Sequence, residues 1–105
     1  MDDQKIIELF FKRCEEAITA TSEKYGKMCR SISDRLLKNN EDVEECVNDT
    51  YLTLWDTIPP EEPNPFVAYI FRIVRNLSLK RYRHNIADKR NKVIVRNLLS
   101  TFIYF

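Results

Sequence analysis

Gly26 is the one glycine in 105 residues, and no Asn-Gly or Asp-Gly pair occurs anywhere in the chain. Two-residue β-hairpin turns need a residue that tolerates positive φ, so tight hairpins have almost no turn chemistry to use here. Apolar residues instead recur at intervals of three and four almost throughout, which is the period of a helix and not of a strand. An all-β fold is thereby excluded and an all-α fold of about four helices is expected. A hydrophobic fraction of 44% supports a single core, and a chain of this length has room for one domain.

The helix boundaries can be read from their stop and start signals. A first helix is expected from Asp3 to about Arg13, opened by acidic residues that suit a helix N-terminus. Ile6, Leu9, Phe10 and Phe11 would face inward. A second runs from roughly Glu15 to Lys38, with Ile18, Tyr25, Met28, Cys29, Ile32, Leu36 and Leu37 near one stripe. Gly26 costs that helix about 1 kcal/mol relative to alanine, and Thr19-Ala20-Thr21-Ser22 leaves the break between the two helices hard to place. Asn39 and Asn40 are good caps for a third helix, and Glu41-Asp42 suit its first turn. Pro59-Pro60 must end it. Asn64 then reads as a cap and Pro65 as the first position of a long fourth helix reaching about Lys89.

The net charge is only +1, but its distribution is uneven. Residues 1–40 carry 8 basic and 7 acidic groups; residues 41–62 carry 8 acidic groups and no Lys or Arg. Residues 63–92 carry 8 basic groups against Asp88 alone, and Arg96 completes the total. At about 100° per residue, Val43, Val47, Thr50, Tyr51, Leu54 and Ile58 share the inner sector of the third helix. Asp42, Glu45, Asp49 and Asp56 lie opposite, with Leu52 among them. A leucine framed by carboxylates is either an ordinary exposed residue or an apolar anchor with a charged surround. On the fourth helix Phe66, Ile70, Ile73, Val74 and Leu77 form the inner stripe. Arg72, Arg75, Asn76, Leu79 and Arg83 lie on another face, with Lys80 at its edge. Guanidinium groups pair with phosphates, amides can read base edges and aromatic rings stack on unpaired bases, so the run Arg75–His84 points to nucleic acid. The competing reading is a merely solvated basic helix.

Other chemistry is poorly supported. Cys14, Cys29 and Cys46 are far apart, odd in number and without a Cys-x-x-Cys, which fits reduced thiols better than a zinc site or a disulfide framework. His84 is the only histidine and stands in a basic run with no carboxylate to orient it. The acidic stretch lacks the glycine that a cation-binding loop needs. No catalytic role, cofactor or metal is expected. The opening Met-Asp-Asp-Gln-Lys is no signal peptide, and no apolar run approaches the ~20 residues of a membrane span, so a cytoplasmic protein without a membrane partner is expected.

Two stretches carry a family resemblance. The run from Asn40 to Pro60, with its Glu41-Asp42-Val43-Glu44-Glu45 start and Tyr51-Leu52-Thr53-Leu54-Trp55 centre, is followed by Tyr69-Ile70-Phe71-Arg72-Ile73-Val74-Arg75-Asn76-Leu77-Ser78-Leu79 and Tyr82-Arg83. Together they resemble region 2 of bacterial sigma factors, nearest the extracytoplasmic-function type, over roughly residues 3–91. The resemblance implies that the acidic helix docks on a coiled coil of the RNA polymerase β′ subunit through Asp42, Glu45, Asn48, Asp49 and Leu52. It implies that the last helix holds the melted non-template strand of the promoter −10 element through Arg72, Arg75, Asn76, Lys80, Arg81, Arg83 and His84. Lys89 and Arg90 would extend the phosphate track, and the connection from Thr57 to Asn64 would form part of a pocket for a flipped base. An anti-sigma factor is a further candidate partner, and occupation of the polymerase site without productive promoter recognition is the alternative reading. Thr21 falls where relatives often carry leucine. Complete relatives continue into region 4, which is not expected within these 105 residues. The division expected is a domain over 1–92 and an atypical apolar tail over 93–105. That tail either packs back on the domain, covers a patch, or reflects a truncated or frameshifted reading frame.

Overall fold

The computed structural model describes residues 1–103, with side chains to residue 97. It contains the four helices that the periodicity predicts, α1 (Asp3–Phe11), α2 (Glu16–Leu37), α3 (Asn40–Thr57) and α4 (Phe66–Ile103), but α4 continues fourteen residues past the expected end near Lys89, since no proline or glycine follows to stop it. Asp2 caps α1 by accepting the Lys5 amide at 2.9 Å, and Asn39 caps α3 by accepting the Asp42 amide at 3.1 Å. The break between the first two helices lies at Lys12–Glu15, ahead of the Thr19–Ser22 run, and α2 is continuous. Arg13 takes a left-handed conformation there, φ 54°, and Lys38 does the same after α2, φ 52°. The start of α4 is displaced by one residue from expectation: the Pro65 carbonyl accepts the Tyr69 amide, so Pro65 and not Asn64 holds the capping position.

Helix α2 is the spine, packing against each of the other three helices. Its most buried positions are small: Ala17, Ala20, Thr21, Gly26, Cys29 and Ser33. The larger Ile18, Tyr25, Met28 and Ile32 lie half-buried on its flanks, a rotation of the stripe expected from apolar residues alone. Small residues let neighbouring backbones approach closely. At Gly26 an added Cβ would sit 3.4 Å from the Tyr51 hydroxyl of α3, an ordinary contact distance, so the structure leaves room for alanine there. Thr21 is fully buried and keeps its hydroxyl satisfied by donating to the Ala17 carbonyl at 2.8 Å.

The aromatic centre of the core joins all four helices. Phe66 meets Phe10 and Tyr25 edge-on, with ring centroids 6.2 and 6.0 Å apart, and Phe10 tilts against Trp55 at 6.4 Å. Truncating a buried phenylalanine of this kind costs about 3–5 kcal/mol. Ile6, Val43, Val47, Leu54, Ile58, Ile70 and Val74 complete the packing. Phe11, expected to point inward, is 42% exposed, because Ile6 and Phe10 already fill the face that α1 turns to the core.

Helix α4 is far longer than the bundle it joins. Its 38 residues rise about 57 Å, and the described side chains after Ile86 are all exposed. The helix crosses residue 92 without a break, so the expected boundary there is not marked by a change of structure. Val93, Ile94 and Val95 are exposed and do not pack back on the bundle. Arg96 and Asn97 are exposed as well, and the side chains of residues 98–105 lie outside those described. No described helix is long and apolar enough to cross a membrane.

Candidate polymerase and nucleic-acid interface

Two side-by-side helices present charge of opposite sign. On α3, burial of Val43, Cys46, Val47, Thr50 and Leu54 turns Glu45, Asn48, Asp49 and Leu52 outward. Leu52 is 60% exposed, and with Ile18, Tyr51 and Trp55 it lines a shallow groove of about 580 Å³ between α2 and α3. Thr50 and Thr53 keep their hydroxyls inside the helix by donating to the Cys46 and Asp49 carbonyls, each at 2.8 Å. The outer face therefore offers carboxylates around an apolar step, with a groove beside it.

On α4, burial of Phe66, Ile70, Val74 and Ser78 fixes the helix azimuth, and Arg72, Arg75, Asn76, Lys80, Arg83 and His84 come out exposed. Among the described residues none of Arg72, Arg75, Lys80 and Arg83 is engaged in an ion pair. Lys89 and Arg90 are exposed further along the same helix. Phe71, 47% exposed, and Tyr82, 44% exposed, border this basic row one turn before and two turns after Arg75. Tyr82 belongs to the Arg75–His84 run that points to nucleic acid, whereas Phe71 lies outside that run, and neither ring is among the expected strand contacts. The connection after α3 lies against α1, where Ile7, Phe11, Glu62, Pro63 and Asn64 line a groove of about 600 Å³.

Two of the residues expected to face different partners instead face each other. Arg81 donates from Nη2 to Asp42 Oδ1 at 2.8 Å and from Nη1 to Glu45 Oε1 at 3.4 Å. Asn85 donates to the other Asp42 oxygen at 2.9 Å. The Asp42 side chain retains only 14% exposure, whereas Glu45 retains 55%. The hydrogen bond to Asp42 holds the Arg81 guanidinium still more firmly protonated than usual, outweighing the effect of its burial. The structure thus brings Asp42, Glu45 and Arg81 together across the α3–α4 seam. Asn48, Asp49 and Leu52 lie on the outer side of α3 and the remaining cations on the outer side of α4.

Nothing else in the described residues gathers chemistry. No cluster of His, Cys, Asp and Glu able to hold a metal is present among them. Burial raises the thiols of Cys29 and Cys46 and keeps them protonated near neutral pH.

The profile of the Sigma-70 region 2 family matches residues 22–86, more than half of the chain. The chain belongs to the sigma-70 region 2 family. Comparison with curated proteins and with solved structures returns no match. A sigma-70 region 2 domain serves transcription initiation by binding RNA polymerase and promoter DNA, and it is not an enzyme. The matched segment ends at Ile86, the last described residue of α4 that is not exposed, so the family domain and the packed part of the helix stop together.

Proposed function

We propose that this domain is of the extracytoplasmic-function type and that its two charged faces divide the work of initiation. The outer face of α3 docks on the β′ coiled coil of RNA polymerase through Glu45, Asn48, Asp49 and Leu52, with Asp42 holding Glu45's neighbour Arg81 in place. The basic face of α4 holds the melted non-template strand of the −10 element through Arg72, Arg75, Asn76, Lys80, Arg83 and His84, with Arg81 at the seam and Lys89 and Arg90 prolonging the track. The groove between α1 and the Thr57–Asn64 connection takes part in receiving an unstacked base. The observation that carries this reading is Leu52: a leucine 60% exposed, with exposed Asp49 and Asp56 one turn before and after it, on the helix next to an unpaired arginine row. An arginine-rich surface complements those carboxylates electrostatically, and the leucine supplies the desolvated anchor.

The energetics are sufficient. Unstacking a base costs a few kcal/mol, and stacking returns about 1–3 kcal/mol per base before phosphate contacts are added. Strand binding is weak in the free domain, because eight acidic groups precede the basic helix and oppose the same phosphates. Docking on β′ neutralises that acid and turns strand binding on.

Titration of a purified β′ coiled-coil fragment against the domain tests the first half of the reading. Leu52→Ala and Asp49→Lys are expected to weaken binding at least tenfold, about 1.4 kcal/mol, as anchor and charge partner are lost. Unchanged binding in both variants would refute the assignment.

A further inference from the structure

The seam between the two faces is built from polar groups of α3 and α4 that bond to each other. Both oxygens of Asp42 are taken by α4, one by Arg81 and one by Asn85. Arg81 Nε is buried there without a hydrogen-bond partner, so the guanidinium is held by its outer nitrogens alone. Residues two apart on a helix point about 160° away from each other, so Arg81 faces α3 while Arg83 faces away from it. A guanidinium clamped in this way is not free to follow a phosphate. It ties the part of α4 that follows the packed Ser78 to α3, adding to the core packing that sets how the basic row lies relative to the carboxylate face.

We infer that Arg81, Asp42 and Asn85 form a positioning clamp that sets the strand-binding row of α4 relative to the polymerase-binding face of α3, and that Arg81 makes no phosphate contact of its own. The inference deepens the proposed function and rests on it. The clamp explains why an arginine within the most basic part of the chain is spent on an internal carboxylate. Glu45, more exposed than Asp42, is the member that a polymerase cation can reach while the Asp42 contacts stay intact.

The salt dependence of strand binding separates a clamp from a contact. Each phosphate contact to a single strand contributes about 0.7 to the slope of log affinity against log salt. The measurement uses the domain bound to core RNA polymerase and a labelled mixed-sequence single-stranded oligonucleotide. Arg75→Ala is expected to lower the slope by about 0.7. Arg81→Gln and Asp42→Asn are each expected to weaken binding roughly five-fold or more at an unchanged slope, and the double variant to lose no more than either alone. Asn85→Ala, a milder change that leaves the ion pair, is expected to show a smaller loss, also at constant slope, and serves if Arg81→Gln fails to fold. A reduced slope in Arg81→Gln beside a reduced slope in Arg75→Ala overturns the clamp alone. Wild-type affinity in both Arg81→Gln and Asn85→Ala overturns it as well. A wild-type slope in Arg75→Ala overturns the strand-binding reading and the clamp with it.

Discussion

The guanidinium of Arg13 lies 3.8 Å above the ring of Trp55 while its Nη1 donates to the Trp55 carbonyl at 2.7 Å and to the Ile58 carbonyl at 3.0 Å. A residue in the turn after α1 thus ties off the carbonyl end of α3, where a positive charge is favoured by the helix dipole and orphan carbonyls need donors. The cation over the ring contributes about 0.5–1 kcal/mol and the charged hydrogen bonds a similar or larger amount.

Arg13→Ala is therefore expected to lower stability by about 2 kcal/mol in urea denaturation. Arg13→Gly should lower it less, because glycine takes the φ of 54° without strain while losing the same side-chain contacts. Equal losses in the two variants would show that the left-handed backbone carries no strain.

Ser33 and Ser78 form a buried hydroxyl pair, 2.9 Å apart, between α2 and α4. Ser78→Ala leaves the Ser33 hydroxyl buried without this partner and is expected to cost about 1–3 kcal/mol. Changing both to alanine is expected to cost less than the sum of the single changes. Thermal melts of the four combinations give the coupling directly, and strict additivity would contradict the pairing.

Much of this architecture was legible in advance because helices and caps are local. Asn39, the inner residues of α3 and the stop at Pro59 follow from spacing and capping chemistry. What escaped depends on partners remote in sequence. Ser78 is buried because Ser33 is there to meet it, and Phe11 is exposed because Phe10 is enough. Arg81 looked like one more cation in a basic run, and only the approach of α3 turns it toward Asp42. Apolar counting also misjudged α2, whose inner face consists of small and polar residues that a hydrophobic stripe does not register.

The pH profile should fall at both ends for identifiable reasons. Burial tends to raise the carboxyl of Asp3, but the hydrogen bonds from Lys24 at 2.8 Å and Tyr25 at 2.6 Å prevail and hold it below its ordinary value. A lowered carboxyl pKa contributes stability above the unfolded value, and that contribution is lost as pH falls through the folded one. Burial pushes the Cys29 thiol from 9.0 up to about 11, so the unfolded chain sheds its proton first and stability declines between those values. Denaturation midpoints of wild type and Asp3→Asn are expected to differ near neutrality and converge in acid. The difference between wild type and Cys29→Ala should be constant below pH 9 and shift against wild type as pH rises from 9 toward 11. A constant Asp3→Asn difference down to strong acid would remove the role given to that carboxylate.

The proposed division of the carboxylate face and the arginine face between separate partners is tested by one gel-filtration experiment with core RNA polymerase and a labelled single strand. Asp49→Lys is expected to stop co-elution with polymerase, whereas the triple variant Arg72→Ala, Arg75→Ala, Arg83→Ala should co-elute normally and leave the strand unbound. Loss of polymerase binding in the triple variant, or normal co-elution of Asp49→Lys, would contradict the division of labour.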